Sequence, residues 1–308
     1  MQQPETTETV GKDERTQKYW RWHTVAQKYA LGKKTCEKGW KGFGSSPDTS
    51  CAGYHAYFAL LAGLDAVSSP DAHKAWYEDR LFATTLDKGR DYKPIVVVSG
   101  LATPAMAEIA RRGSSEETEL RIFDICPTPL LVSMEVLSLN PTDIIFQADA
   151  RNLEQLQQAG NIKLGSCSAV VTDAFLTRFP PDQRATVIEN WAKLLRPRDG
   201  AVITTWRIGN GKKEKPAKNY GDERDRRIFM ANVVQRAEEL QIPLNMDRLG
   251  AAYDYAGRMT SYSGETLEEI KAFMETYFRH VSITVSPPVY DVTMRKYARI
   301  WAKDSKIS

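Results

Sequence analysis

The sequence of 308 residues predicts an α/β fold in which parallel strands are joined by crossover helices. Two observations carry that reading. From Lys93 onward, short apolar, β-branched runs alternate with helical stretches, the pattern of strands covered on both faces and linked by helices. Before Lys93 the apolar positions recur at three- and four-residue intervals instead, so a helical region precedes the sheet. The length suits about two average domains, or one large α/β domain with an appendage.

Residues 1–16 are polar, offer no periodic apolar positions and read as a disordered tail. A helical cap follows over 17–90. Tyr19, Trp22, His23, Ala26, Tyr29 and Ala30 share one helical face, and a second helix is expected from near Ser50, with Tyr54, His55 and Tyr57 at its start. A third follows Ser69, where a hydroxyl and the adjacent Pro70 form an N-cap and first-turn pair, and runs to about Leu86. The sheet domain spans 91–308, with strands expected at 95–99, 120–125, 143–149, 168–175, 201–207, 281–286 and 296–303. The helix from Asp182 to Leu195 stops at a proline and then a glycine. An insertion, 208–262, separates the fifth strand from the last helix. Within it, 210–229 holds seven basic and four acidic residues, which reads as a solvated loop, with a lid over an anionic substrate as the sharper alternative.

Composition narrows the function classes. With 42 Lys+Arg against 39 Asp+Glu the net charge is +3, and the charges are interspersed, which disfavours sequence-independent nucleic-acid binding. No apolar run approaches the length of a membrane span, and the N-terminus lacks an apolar signal core, so the expectation is a cytoplasmic protein outside the membrane. Cys36, Cys51, Cys126 and Cys167 show no CxxC or Cys/His ligand spacing and read as reduced thiols, with Cys126 and Cys167 packed as small hydrophobes.

In a doubly wound sheet, ligands bind at the C-terminal ends of the parallel strands. After the first strand come Ser99, Gly100, Leu101 and Ala102, small at most positions and followed by a helix, so that a ligand can approach the backbone. The second strand ends in Asp124 and Ile125, where the carboxylate is placed to accept hydrogen bonds from ribose hydroxyls. The third ends in Ala148, Asp149 and Ala150, a carboxylate with room for a ring beside it. The fourth ends in Asp173, Ala174 and Phe175.

On these residues the chain resembles the class I S-adenosylmethionine-dependent methyltransferases over roughly 90–305. The match lies in VVVSGLATPAMAEIA, RIFDI, FQADARNL, VVTDAFLTRFP and LLRPRDGAVITTWR, taken in order, and in the closing segments GETLEEIKAFMETYF to RIWAKD. The resemblance implies a doubly wound, seven-stranded, mostly parallel sheet with an antiparallel last strand, and S-adenosyl-L-methionine as cofactor. It places Ser99, Gly100, Leu101 and Ala102 at the amino-acid moiety and Asp124 with Ile125 at the ribose. Asp149 and Ala150 would frame the adenine, and Asp173, Ala174 and Phe175 would lie beside the transferable methyl. The first motif departs from the family's pattern, with Val98, one glycine, Ala102 and Pro104 where an acidic residue and three glycines are usual. A nicotinamide-binding relative would need GxGxxG, which SGLATP does not supply.

Methyl transfer to a hydroxyl or protonated amine needs a base, and His23 and His55 in the aromatic front are the candidates, each weighed against a packed structural histidine. Trp22, Tyr29 and Trp206 are the expected substrate-pocket residues. No carboxylate and asparagine set like that of the catechol-type members follows the fourth strand, so metal-independent transfer is expected. Asp-Ala-Phe-Leu at that point also lacks the Pro-Pro-aromatic motif of base-methylating members, which favours a small-molecule acceptor, aromatic ones included. The alternatives are a relative using the cofactor for non-methylating chemistry and a non-catalytic binding or scaffold protein. The sequence does not fix the oligomeric state.

Overall fold

The computed structural model describes residues 14–38, 51–86, 93–100, 102–211, 217–218, 223–258, 260–287 and 296–307. Seven strands form one sheet: β1 (Ile95–Val98), β2 (Glu119–Asp124), β3 (Ile144–Gln147), β4 (Ala169–Thr172), β5 (Ala201–Arg207), β8 (Phe278–Val285) and β9 (Tyr297–Ser305). Their order is β3-β2-β1-β4-β5-β9-β8. The first five are parallel, and β9 runs antiparallel between β5 and β8. The sheet thus matches the expected architecture, and each predicted run is a strand. A separate two-residue ribbon pairs β6 (Ala217–Lys218) with β7 (Thr260–Ser261).

The central strands are continuous apolar runs because both of their faces are covered. Val96 and Val98 of β1, Leu120 and Ile122 of β2 and Ala201 and Ile203 of β5 meet α4 (Thr103–Gly113), α5 (Pro127–Val136) and α3 (Lys74–Thr85) on one face. Val97, Phe123, Val170, Val202 and Trp206 meet α6 (Leu153–Gly160), α7 (Pro181–Leu194) and α10 (Leu267–Tyr277) on the other. The alternation follows from the two-residue period of a strand. The reversal of strand order falls at β1 and β4, whose C-terminal ends face the helical front.

The front begins earlier than the sequence suggests. Helix α1 spans Glu14–Gln27 and Thr16 is buried, so residues 14–16 belong to this helix and not to the expected tail, whose residues 1–13 lie outside the described residues. A π-helical turn, Lys28–Gly32, and a 3-10 turn, Thr35–Lys38, follow, and α2 covers Ala52–Gly63. Helices α1 and α2 approach closely because Gly63 has no side chain: a Cβ there would stand 2.8 Å from Tyr19 Cβ. The expected third helix is a 3-10 turn, Pro70–His73, continued by α3, and the Ser69 side chain does not cap it.

The solvated-loop reading of 210–229 is corrected for its last residues, since from Glu223 the insertion forms α8 (Glu223–Glu239) and then α9 (Met246–Arg258). Phe229, Val233, Leu249 and Tyr253 pack with Tyr57, Leu60 and Leu61 of α2 in one apolar cluster. Cap and insertion, distant in sequence, therefore share a core. Their apolar positions could not be assigned to a common cluster from local periodicity. Most of the basic stretch before Glu223 lies outside the described residues. Among the described residues, no helix is long and apolar enough to cross a membrane.

Candidate active site

The tips of β1, β2 and β4 converge. Ser99 is buried and its N–H donates to Val171 O, which carries the β1 to β4 pairing past the end of the strand. Gly100 follows with φ +155°, a backbone conformation that residues with a side chain rarely adopt, and its Cβ position would lie 3.4 Å from Asp173 N, so the two tips are neighbours. Leu101 lies outside the described residues. Ala102 is buried at the start of α4, where Thr103 and Pro104 open the helix.

Asp124 stands at the end of β2 and is fixed from two sides. The Thr103 hydroxyl donates to Oδ2 at 2.7 Å, and the Cys126 N–H donates to Oδ1 at 2.8 Å. Burial pushes its carboxyl up to about 6, although His55, the Cys126 N–H and Thr103 all act to lower it. An ionised carboxylate offers about four acceptor positions, so roughly two remain for a diol after these bonds. Ile125 lies beside it and its carbonyl accepts from Gln147 Nε2.

Asp173 is buried beyond β4. Its Oδ1 accepts from Tyr77 Oη at 2.9 Å and Thr205 Oγ1 at 2.7 Å, while Oδ2 makes no hydrogen bond among the described residues. Tyr77, from α3, also donates to Thr172 O at 2.8 Å, and both burial and Asp173 raise its phenol well above the ordinary value. Ala174 sits at φ +47°, a left-handed conformation that costs a non-glycine residue about 1–2 kcal/mol, and its N–H donates to Thr205 Oγ1 at 2.9 Å. Strained backbone held by a neighbouring strand is thus found where the resemblance expects the reacting centre. Phe175 turns away to stack on Trp191 and meet Phe179 edge-on.

Other predicted residues sit differently. The Asp149 carboxylate is engaged two-handedly by Arg151, at 2.6 Å from Nη2 and 3.0 Å from Nε, and Ala150 is packed in the core with its carbonyl accepting from Asn190. Trp22 does line an apolar cleft, with Phe58, Ala59, Ala102, Pro104 and Pro129, and stacks edge-on against Tyr19. Tyr29 does not: its hydroxyl donates to Glu135, which also pairs with Lys28. Trp206 is corrected from pocket to core. Thr205 faces Asp173, so its neighbour must face the opposite side of the sheet, where Trp206 packs edge-on against Phe273 beneath the Arg184 guanidinium.

Neither histidine has the geometry of a free base. His23 is buried, its Nδ1–H donates to Ala56 O at 2.7 Å, and Nε2 lies 3.0 Å from the Gln27 amide. Burial pushes its imidazole down to about 4. His55 Nδ1 lies 3.3 Å from Cys36 Sγ and 3.5 Å from Cys126 Sγ, with Cys51 in the same group. The cysteines are free thiols as expected, but Cys36, Cys51 and Cys126 gather around His55 through tertiary packing, which local spacing could not show. Sequence reasoning also missed Thr103, Tyr77 and Thr205, which position the two acidic residues. Only Thr205 left a signal, as the polar position before Trp206 at the end of an apolar strand.

Five parallel strands in this order, an antiparallel β9 inserted before β8, and an acidic residue at the tip of β2 together decide the architecture. This is the doubly wound, seven-stranded, mostly parallel sheet that the resemblance implies. No known family pattern and no curated protein matches this chain. Among solved structures it is similar to human N-acetylserotonin methyltransferase in complex with S-adenosylmethionine, at 12% identity over 93% of this chain and 66% of that one, with a TM-score of 0.48. It is also similar to a DUF574 family protein from Streptomyces avermitilis, at 13% identity over 91% and 96% of the chains, with a TM-score of 0.46. An O-methyltransferase family protein from Burkholderia thailandensis gives 12% identity over 94% and 73%, with a TM-score of 0.45. Likeness at these identities concerns the fold alone.

Proposed function

We propose that the chain binds S-adenosylmethionine across the tips of β1, β2 and β4 and transfers its methyl group to an oxygen or nitrogen of a small molecule, aromatic acceptors included. The observation that carries this reading is Asp124, held by Thr103 and the Cys126 N–H with acceptor positions to spare, beside the bare turn at Gly100. The residues fit the group: a carboxylate for the ribose diol, a backbone without a side chain at Gly100, and a second carboxylate, Asp173, whose Oδ2 is uncommitted among the described residues. When bound, the cofactor supplies an electrophilic methyl on a sulfonium.

The chain's own task is then to hold the acceptor in line and exclude water. Tyr77 and Thr205 fix Asp173, and Trp22 with Phe58 offers an apolar, aromatic wall nearby. Because His23 and His55 are engaged elsewhere, an acceptor that needs little help in losing its proton suits this site, such as an aromatic amine, which is unprotonated at neutral pH, or an acidic hydroxyl. Transfer itself requires no metal.

Calorimetric titration with S-adenosylmethionine, S-adenosylhomocysteine and NAD tests the reading. Binding of the first two and not the third is expected. Asp124→Ala should weaken binding about 10- to 100-fold, since a hydrogen bond to a charged group is worth about 1.5–3 kcal/mol. Binding of NAD, or unchanged affinity in the variant, would sink the assignment. A chain that binds none of the three would be a non-catalytic relative. Cofactor turnover without S-adenosylhomocysteine would indicate non-methylating chemistry.

A further inference from the structure

Three cysteines and a histidine, from three separate segments, meet at the base of the cap. Cys36 lies in the 3-10 turn Thr35–Lys38. Cys51 immediately precedes α2, and His55 is one turn further along that helix, so the two side chains share a face. Cys126 precedes α5, just after β2. The four ligand atoms all lie within 4.8 Å of one another.

The separations fit one ion. Zinc takes thiolates at about 2.3 Å and imidazole nitrogen at about 2.0–2.1 Å in a tetrahedron, which sets sulfur–sulfur edges of about 3.8 Å and sulfur–nitrogen edges of about 3.6 Å. Here Cys51 Sγ and Cys36 Sγ each lie 3.8 Å from Cys126 Sγ, and His55 Nδ1 lies 3.3 and 3.5 Å from two of the sulfurs. A disulfide needs its sulfurs about 2.05 Å apart, and it would leave the third thiol and the imidazole unexplained. Hard cations such as magnesium and calcium require oxygen donors.

We propose that Cys36, Cys51, His55 and Cys126 form a structural zinc site that fastens the helical cap to the end of β2. Four protein ligands complete the tetrahedron, so no position stays open for substrate or water, which separates this site from a catalytic one. Binding releases three thiol protons to solvent, while His55 coordinates as neutral imidazole through Nδ1. The Thr128 hydroxyl, 2.9 Å from Cys36 Sγ, supplies a donor to that sulfur and so orients it. One consequence reaches the site above: the Cys126 N–H that holds Asp124 belongs to a ligand residue, so the ion would fix the turn that presents the β2 carboxylate.

Metal content tests the proposal without reference to cofactor binding. The full chain, produced in zinc-replete medium and dialysed, should contain one zinc per chain by mass spectrometry. Cys51→Ser and Cys126→Ser should each lose it, while Cys167→Ser, at a buried thiol outside the cluster, should keep it. If a ligand variant does not fold, the wild-type protein still decides. Zinc withdrawn by a chelator and replaced by cobalt should give the intense visible bands of tetrahedral cobalt with thiolate-to-metal charge transfer, and the melting temperature should fall on chelation and recover with zinc. A purified chain that contains no zinc and takes up no cobalt would overturn the proposal. So would a disulfide between any two of the three cysteines, an iron–sulfur spectrum, or octahedral cobalt. The S-adenosylmethionine reading is decided by its own titration, whatever the metal content.

Discussion

Acidification should destabilise this protein through His23, and the size of the effect follows from its surroundings. On its own helix His23 faces Trp20 and Gln27, on α2 it faces Ala56 and Tyr57, and the charged group acting on it from α9 is Arg248. Burial and that cation both oppose a second positive charge, and the imidazole is pushed from 6.5 to about 4. In the unfolded chain the same ring titrates near 6.5. Below that pH the unfolded state takes up a proton that the native state refuses. The contribution of His23 is therefore complete above about pH 6.5, falls as the pH drops toward 4, and levels off below it. Between about pH 7.5 and about pH 5 the loss is about 2 kcal/mol, approaching about 3 kcal/mol at lower pH.

The measurement is urea denaturation across this range for the wild type and for His23→Asn, whose amide can still donate to Ala56 O but does not titrate. The variant is less stable at neutral pH because its side chain is smaller, and its curve against pH should be flatter than the wild type's by the stated amount. Parallel curves, or a His23 pKa near 6.5 by NMR, would refute the burial argument and restore His23 as a candidate base.

Other perturbations probe the positioning network and the cap. Tyr77→Phe removes the phenol that donates to both Asp173 Oδ1 and Thr172 O, at a cost of about 1.5–3 kcal/mol, read as a melting temperature lowered by roughly 2–5 °C. An unchanged melting temperature would mean that Asp173 is not held by this bond. Gly63→Ala brings a Cβ to 2.8 Å from Tyr19 Cβ. Overpacking of about 1–3 kcal/mol should outweigh the alanine's helix preference of about 1 kcal/mol, so denaturation should show net destabilisation, and a stabilised variant would contradict the close approach of α1 and α2.

Local chemistry along the chain determined the sheet and its tips. Apolar β-branched runs such as Ile95–Val98 and Ala169–Thr172 have one stable place in an α/β protein, between two helical layers, and the polar residues that end them must then lie at the ligand-binding edge. Asp124 and Asp173 were legible on that ground, as was the bare turn at Gly100. Side-chain roles that depend on what approaches from elsewhere were not. His23 and His55 look alike on helical faces, yet one faces a carbonyl and the other three thiols, because α1 packs across α2 while Cys36 and Cys126 are brought in by separate segments. Trp206 follows an apolar strand as a pocket residue would, but the pleat turns it into the core once Thr205 is committed to Asp173. The end of 210–229 reads as a solvated loop because its charges dominate locally, while the apolar residues of α8 and α9 that meet α2, such as Phe229, Val233 and Leu249, are matched only in the folded chain. Periodicity and residue type act over a few neighbours and so fixed the elements. The gathering of Cys36, Cys51, His55 and Cys126, the tautomer of His23 and the face taken by Trp206 depend on contacts between residues far apart in sequence, which only the packed chain supplies.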